Sequence, residues 1–223
     1  AELGAIDDEA TRSLIERQLG LHGFDPALAA RVQEDLTAVT STPMGPNLPA
    51  LRDLDPNRVL RELEFTLAVE RPDLQELAEL LAHHGTPASA PDYHERLRQV
   101  GEQTLRGFLR GFIDLMFEWK GRWYVADYKS NRLPAYEPTH VIEAVQRDHY
   151  VLQGELYSAA AHRYLRQRDP SYDPARHWGG ALFLFVRGMV DGTPAGSSVF
   201  FDGQSPELLA AMDAWLGGSD DSR

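Results

Sequence analysis

Cysteine is absent from the 223 residues, which excludes disulfide staples and any cysteine-ligated zinc or iron–sulfur cluster. The eight histidines form no metal-ligand spacing; His83-His84 precedes Gly-Thr-Pro and reads as the polar end of a helix. No apolar run approaches the roughly 20 residues that a membrane-spanning helix needs, and no signal-peptide pattern opens the sequence. The expectation is a cytoplasmic globular chain. Positive charge is also scarce: 22 Lys and Arg stand against 34 Asp and Glu, a net charge of −12. Stand-alone DNA binders usually carry a basic face, so the charge argues for delivery of any nucleic acid by other domains or subunits. The missing initiator Met agrees with a piece of a longer protein.

What is present fits a globular fold, with 43% hydrophobic and 25% charged residues. Residues 1–55 read as a helical lead-in and connector, and residues 56–223 as the main domain. Asp7 is placed to cap a helix running to about Leu19, and Asp25-Pro26 opens a second helix to about Val39. Thr40 to Asp55, rich in Pro, Gly and Asn, reads as a connector.

The central stretch runs from Gly111 to Asn131. Phe112, Ile113, Leu115, Met116 and Phe117 precede a turn at Lys120-Gly121, and Trp123, Tyr124, Val125 and Tyr128 follow it. Aromatic and β-branched residues of this kind suit a pleated, buried surface. A two-residue loop puts Trp119 opposite Arg122, and counting outward puts Asp114 opposite Asp127. Side chains alternate along a strand, so Lys129 shares a face with Asp127. Opposed carboxylates repel unless a cation lies between them or a pKa rises. Two readings follow: a solvent-facing pair neutralised by Lys129, or a site for a hard divalent ion such as Mg²⁺, which takes one or two carboxylates and keeps open positions for phosphate and water. The apolar residues flanking each Asp favour the site.

Elsewhere, Leu63, Phe65, Leu67 and Val69 alternate with Glu62, Glu64 and Thr66, as in a strand with one buried face. Pro72 starts a short helix bearing Leu74, Leu77, Leu80 and Leu81, Gly85 to Pro91 is a loop, and a strand begins near Thr104. Gly107 and Gly111 leave room for a close approach. A helical stretch from Pro138 to about Arg168, with a break near Asp148-His149, puts Gln153 and Tyr157 on one face. Tyr157 can equally be a core aromatic. Ala181 to Val186 reads as a strand buried on both faces, and Ser205-Pro206 caps a final helix to about Leu216, after which Gly217 to Arg223 should fray.

The order Gly111-Phe112-Ile113-Asp114, Asp127-Tyr128-Lys129-Ser130-Asn131, Gln153 with Tyr157, and His162-Arg163-Tyr164-Leu165 resembles the nuclease domain of bacterial RecB subunits of the RecBCD helicase–nuclease, within the PD-(D/E)XK superfamily. The likeness covers at least Glu62 to Gly188. It implies an α/β fold with a restriction-endonuclease-like core, a mixed central sheet flanked by helices and preceded by the helical lead-in. It further implies Mg²⁺-dependent DNA hydrolysis during repair of double-strand ends, with the RecB helicase portion, RecC, RecD and DNA as partners. Asp114, Asp127 and Lys129 would be catalytic, with Asp114, Asp127 and Tyr128 at the metal. Gln153 and Tyr157 would support substrate, and Glu62, more than Glu64, would add to the metal site, although both can equally be an outward polar face. The family's further histidine ligand sits on a helix before the first strand; His22 has helix-end context, so that ligand is expected outside this chain. The rival functions are a catalytically silent docking module of the same complex and a metal-dependent hydrolase of another phosphate ester.

Overall fold

The computed structural model of the chain describes residues 8–69, 74–85 and 107–217, together with Tyr93, Glu95 and Leu97. Helices α1 (Glu9–Leu21) and α2 (Ala29–Ser41) open it. Asp7 lies outside the described residues; the cap of α1 is Asp8, whose carboxylate accepts from the Thr11 amide at 2.7 Å. Asp25 caps as expected, but Pro26–Leu28 is a 3₁₀ turn and α2 follows it. The expected connector contains a small hairpin, β1 (Pro43–Gly45) with β2 (Leu48–Ala50).

The main sheet has five strands in the order β3-β4-β5-β6-β7: Val59–Val69, Gly107–Trp119, Arg122–Lys129, Trp178–Phe185 and Val199–Asp202. The β5–β6 pair is parallel and the other pairs are antiparallel, so the sheet is mixed. Helix α3 (Leu74–His84) follows β3, while α4 (Pro138–Arg147) and α5 (Tyr150–Arg168) make the β5–β6 crossover. His149, at φ 56, separates α4 from α5 where the break was expected. Helix α6 (Pro206–Trp215) ends the described chain, with the Ser205 hydroxyl accepting from the Leu208 amide at 3.1 Å. The loop from 86 to 91, the strand start near Thr104 and the tail beyond 217 lie outside the described residues. Strand β7, only four residues long, is an addition to the sequence reading.

Both faces of the sheet are covered. Ala181, Phe183 and Phe185 of β6 pack with Val151, Ala159 and Leu165 of α5, while Leu182 and Leu184 pack with Met44, Leu51 and Leu54 of the lead-in. A strand caught between two apolar layers must be apolar at every position, which is why Ala181–Phe185 reads as a continuous run. Helix α5 comes close to the sheet at Gly154, where a Cβ would lie 3.2 Å from the Phe183 ring. That approach carries Gln153 to the C-terminal end of β5.

Candidate active site

The site begins with the β4–β5 hairpin. Lys120 and Gly121 have φ of 51 and 78, the left-handed pair of a type I′ turn, and Trp119 pairs with Arg122 as the two-residue loop requires. Pairing continues to Leu115 and Ala126 and stops there. The next register position is Asp114 and Asp127, but the two carboxylates do not form a simple cross-strand pair. Instead Oδ2 of Asp114 accepts from the backbone N–H of Tyr128 at 3.0 Å, in place of a ladder bond.

A kink makes this possible. Leu60 of β3 and Met116 of β4 face the α5 side, whereas Val59, Leu115 and Phe117 face the other; beyond the kink Leu63, Phe65, Leu67 and Ile113 face α5. Strict alternation would keep all odd-numbered residues on one face, so each strand changes face once, at Glu62 and at Asp114. Glu62 sits at φ 51, outside the extended region, and neither residue is paired in the ladder. Because each strand carries one extra residue, the register is the same on both sides, Arg61 with Leu115 and Leu63 with Ile113. Twinned bulges of this kind re-aim a side chain without shifting the sheet. The close approach at Gly111 is filled by the Phe65 ring, 2.6 Å from where a Cβ would lie.

Strand β5 stays regular, so Asp127 and Lys129 share the α5 face, as expected. Both are buried, at 6% and 9% exposure. The Lys129 Nζ is 2.6 Å from Asp127 Oδ2 and donates to Gln153 Oε1 at 2.7 Å. Gln153 Nε2 donates to Asp127 Oδ1 at 3.1 Å and to the Tyr157 hydroxyl at 2.7 Å. The amide therefore turns its oxygen to the cation and its nitrogen to the anion. Burial pushes the Asp127 carboxyl above its usual range, Lys129 pulls it down, and the Asp114 charge pushes it up again. Burial raises the Tyr157 phenol to about 12, so it stays protonated at neutral pH. Its ring packs edge-on to Phe65, centroids 5.6 Å apart. Tyr157 is thus both a packed aromatic and a polar neighbour of Asp127. Burial, and secondly Asp114, raises the Tyr128 phenol; the residue is 38% exposed.

Asp114, Asp127, Lys129, Gln153 and Tyr157 are therefore gathered in one place, and Tyr128 joins them through its backbone N–H while its side chain lies on the opposite face, beside Leu36 and Met189. Glu62, the further metal residue that the resemblance implies, is exposed at the kink, at the register position opposite Asp114, and among the described residues no cluster of three or more His, Cys, Asp or Glu forms. Its neighbour on the same expected face, Glu64, pairs with Arg110. His22 is the exposed C-cap of α1. Two carboxylates, one of them buried, fit a hard cation, which prefers oxygen donors and completes its shell with water. Three residues near the site escaped the sequence reading: Asn131, Asp148 and Tyr150, which link β5 to the α4–α5 break through hydrogen bonds of 3.0 and 3.1 Å. The only available hint was the Asn131 in Asp-Tyr-Lys-Ser-Asn, since the partners lie 17 and 19 residues away.

Residues 25–216 match the family model for the PD-(D/E)XK nuclease superfamily. The chain belongs to this superfamily. In this nuclease the α/β core is the five-stranded mixed sheet with flanking helices. Over 208 residues it is 35% identical to the RecBCD enzyme subunit RecB of Escherichia coli (strain K12), covering 92% of this chain and 17% of that one. It is 35% identical over 197 residues to the RecB subunit of Haemophilus influenzae, covering 85% and 15%. With the RecB subunit of Mycobacterium tuberculosis (strain ATCC 25618 / H37Rv) the identity is 38% over 216 residues, covering 85% and 20%. The chain thus spans a fifth or less of the length of these relatives.

Proposed function

We propose that this nuclease hydrolyses DNA phosphodiester bonds with Mg²⁺, as the exonuclease module of a cytoplasmic helicase–nuclease that processes double-strand ends for recombinational repair. The observation that carries the reading is the Lys129 ammonium 2.6 Å from the buried Asp127 carboxylate, with Asp114 one strand away. Asp114, Asp127 and Tyr128 would hold the ion. A bound Mg²⁺ supplies Lewis-acid polarisation of the phosphate and an acidified water. Lys129, beside Asp127, meets the charge that develops on phosphorus and orients the attacking water. Gln153 bridges the Lys129–Asp127 pair, accepting from the ammonium and donating to the carboxylate, and Tyr157 accepts from the same amide. The names of the relatives suggest a RecB helicase portion, RecC and RecD as partners, which would supply the basic surface that a chain of net charge −12 has little of.

A second reading, a silent docking module in the same assembly, draws on the absence of a third carboxylate or histidine beside Asp114 and Asp127 among the described residues. The test is turnover of linear DNA and of a small phosphate monoester, each with and without Mg²⁺. Mg²⁺-dependent loss of DNA alone supports the nuclease. Hydrolysis of both points to a general phosphoesterase, and of neither to the docking module.

A further inference from the structure

Lys129 has two polar partners, Asp127 and Gln153, yet an ammonium has three N–H donors and the side chain is buried. The third side is an aromatic face: Nζ lies 3.8 Å from the centroid of the Tyr150 ring, and 5.2 Å from that of Phe183. We propose that Tyr150 is a positioning residue, its ring holding the Lys129 ammonium in place while Asn131 and Asp148 hold the ring. The proposal rests on the nuclease reading only for its effect on rate.

The ring is fixed from two directions. It stacks on Phe183 at 5.6 Å with planes 22° apart, and its hydroxyl donates to Asn131 Oδ1 at 3.1 Å. Asn131 Nδ2 donates in turn to Asp148 Oδ2 at 3.0 Å, and Arg147 grips both oxygens of Asp148 at 2.8 and 2.9 Å. The Asn131 carbonyl accepts from the Tyr136 hydroxyl at 2.8 Å, so the asparagine is tethered at both ends. This chain of contacts explains the left-handed His149. A continuous helix would place Asp148 and Tyr150 about 200° apart around its axis; the break lets both reach Asn131. A cation over a ring face is attracted by the ring quadrupole, most strongly where water is kept away. A flexible four-carbon amine gains most from such a wall.

The chain has two lysines, Lys120 in the exposed hairpin turn and Lys129, so lysine-selective ¹³C labelling gives one reporter and one internal control. Relaxation of the Cε carbons should show Lys129 ordered and Lys120 mobile in the wild type. Tyr150→Leu should mobilise Lys129 and leave Lys120 unchanged, whereas Tyr150→Phe, which keeps the ring and its stack on Phe183 but loses the hydroxyl bond to Asn131, should loosen Lys129 only slightly. Asn131→Ala serves as the second variant, with a smaller loosening of Lys129 expected. In Mg²⁺-dependent DNA cleavage, Tyr150→Leu should lower kcat tenfold or more at nearly constant KM, and Tyr150→Phe should restore it. An ordered Lys129 in folded Tyr150→Leu overturns the proposal, as does an unchanged kcat in that variant. If Tyr150→Leu does not fold, an unaltered Lys129 in Asn131→Ala overturns it. A wild type without DNA cleavage would defeat the nuclease reading, and the relaxation data alone would then decide the role of Tyr150.

Discussion

At the scale of single residues, the site is a balance of burial and charge at Asp127. Lys129 contributes the charge, so Lys129→Gln, which keeps length and loses the cation, should lower kcat about 10²-fold or more while leaving metal affinity nearly intact. Calorimetric titration with Mg²⁺ is the control: loss of metal binding in Lys129→Gln would move Lys129 from the chemistry to the metal site. A second buried carboxyl gives a stability test away from the site. Glu155 of α5 is fully enclosed, and burial first, then the Asp202 charge, pushes its carboxyl well above the usual range. A folded-state pKa above the unfolded one stabilises below the unfolded value, and that contribution is lost as pH rises through the folded value. Thermal melts should therefore show stability declining from the ordinary carboxylate range upward, by about 1.4 kcal/mol for each unit of elevation. Glu155→Gln should flatten that slope and exceed the wild type at its upper end; an unchanged slope would place the titration elsewhere.

At the scale of elements, the site depends on how closely α5 lies on the sheet. Gly154 sets that distance, and Gly154→Val puts methyl groups where the Phe183 ring lies. Overpacking of this kind costs roughly 1–3 kcal/mol, readable by denaturant titration, and kcat should fall with it because Gln153 is displaced from Asp127 and Lys129. Retention of full stability and activity would mean that α5 has slack. The elements that hold the site were readable where a local rule fixes them: Lys120-Gly121 sets the hairpin register, Ala181–Phe185 marks the strand between two layers, and Gln153 and Tyr157 share a helical face. The kink at Glu62 and Asp114 was not, because apolar residues occupy both parities around it and alternation shows no break. The three-residue strands of the β1–β2 hairpin and the four-residue β7 are too short to establish a period. The link from Asn131 to Asp148 and Tyr150 is a tertiary fact with no periodic trace.

At the scale of the whole molecule, an acidic chain carries a site suited to a polyanion. Two carboxylates form a modest metal site, and a net charge of −12 opposes DNA capture. Cleavage by these residues alone should therefore need high Mg²⁺ and low salt, with log rate falling steeply against log salt; a rate flat from low to physiological salt would mean that the chain carries its own DNA-binding face. If Asp127 anchors a metal-dependent nuclease site, the Mg²⁺ dependence of linear DNA cleavage by Asp127→Ala beside the wild type, with circular dichroism on both, will show it. The variant should keep its fold, melt lower than the wild type because the buried Lys129 ammonium loses its carboxylate partner, and lose cleavage at every Mg²⁺ concentration. A folded Asp127→Ala that cleaves DNA at near wild-type rates would contradict the account.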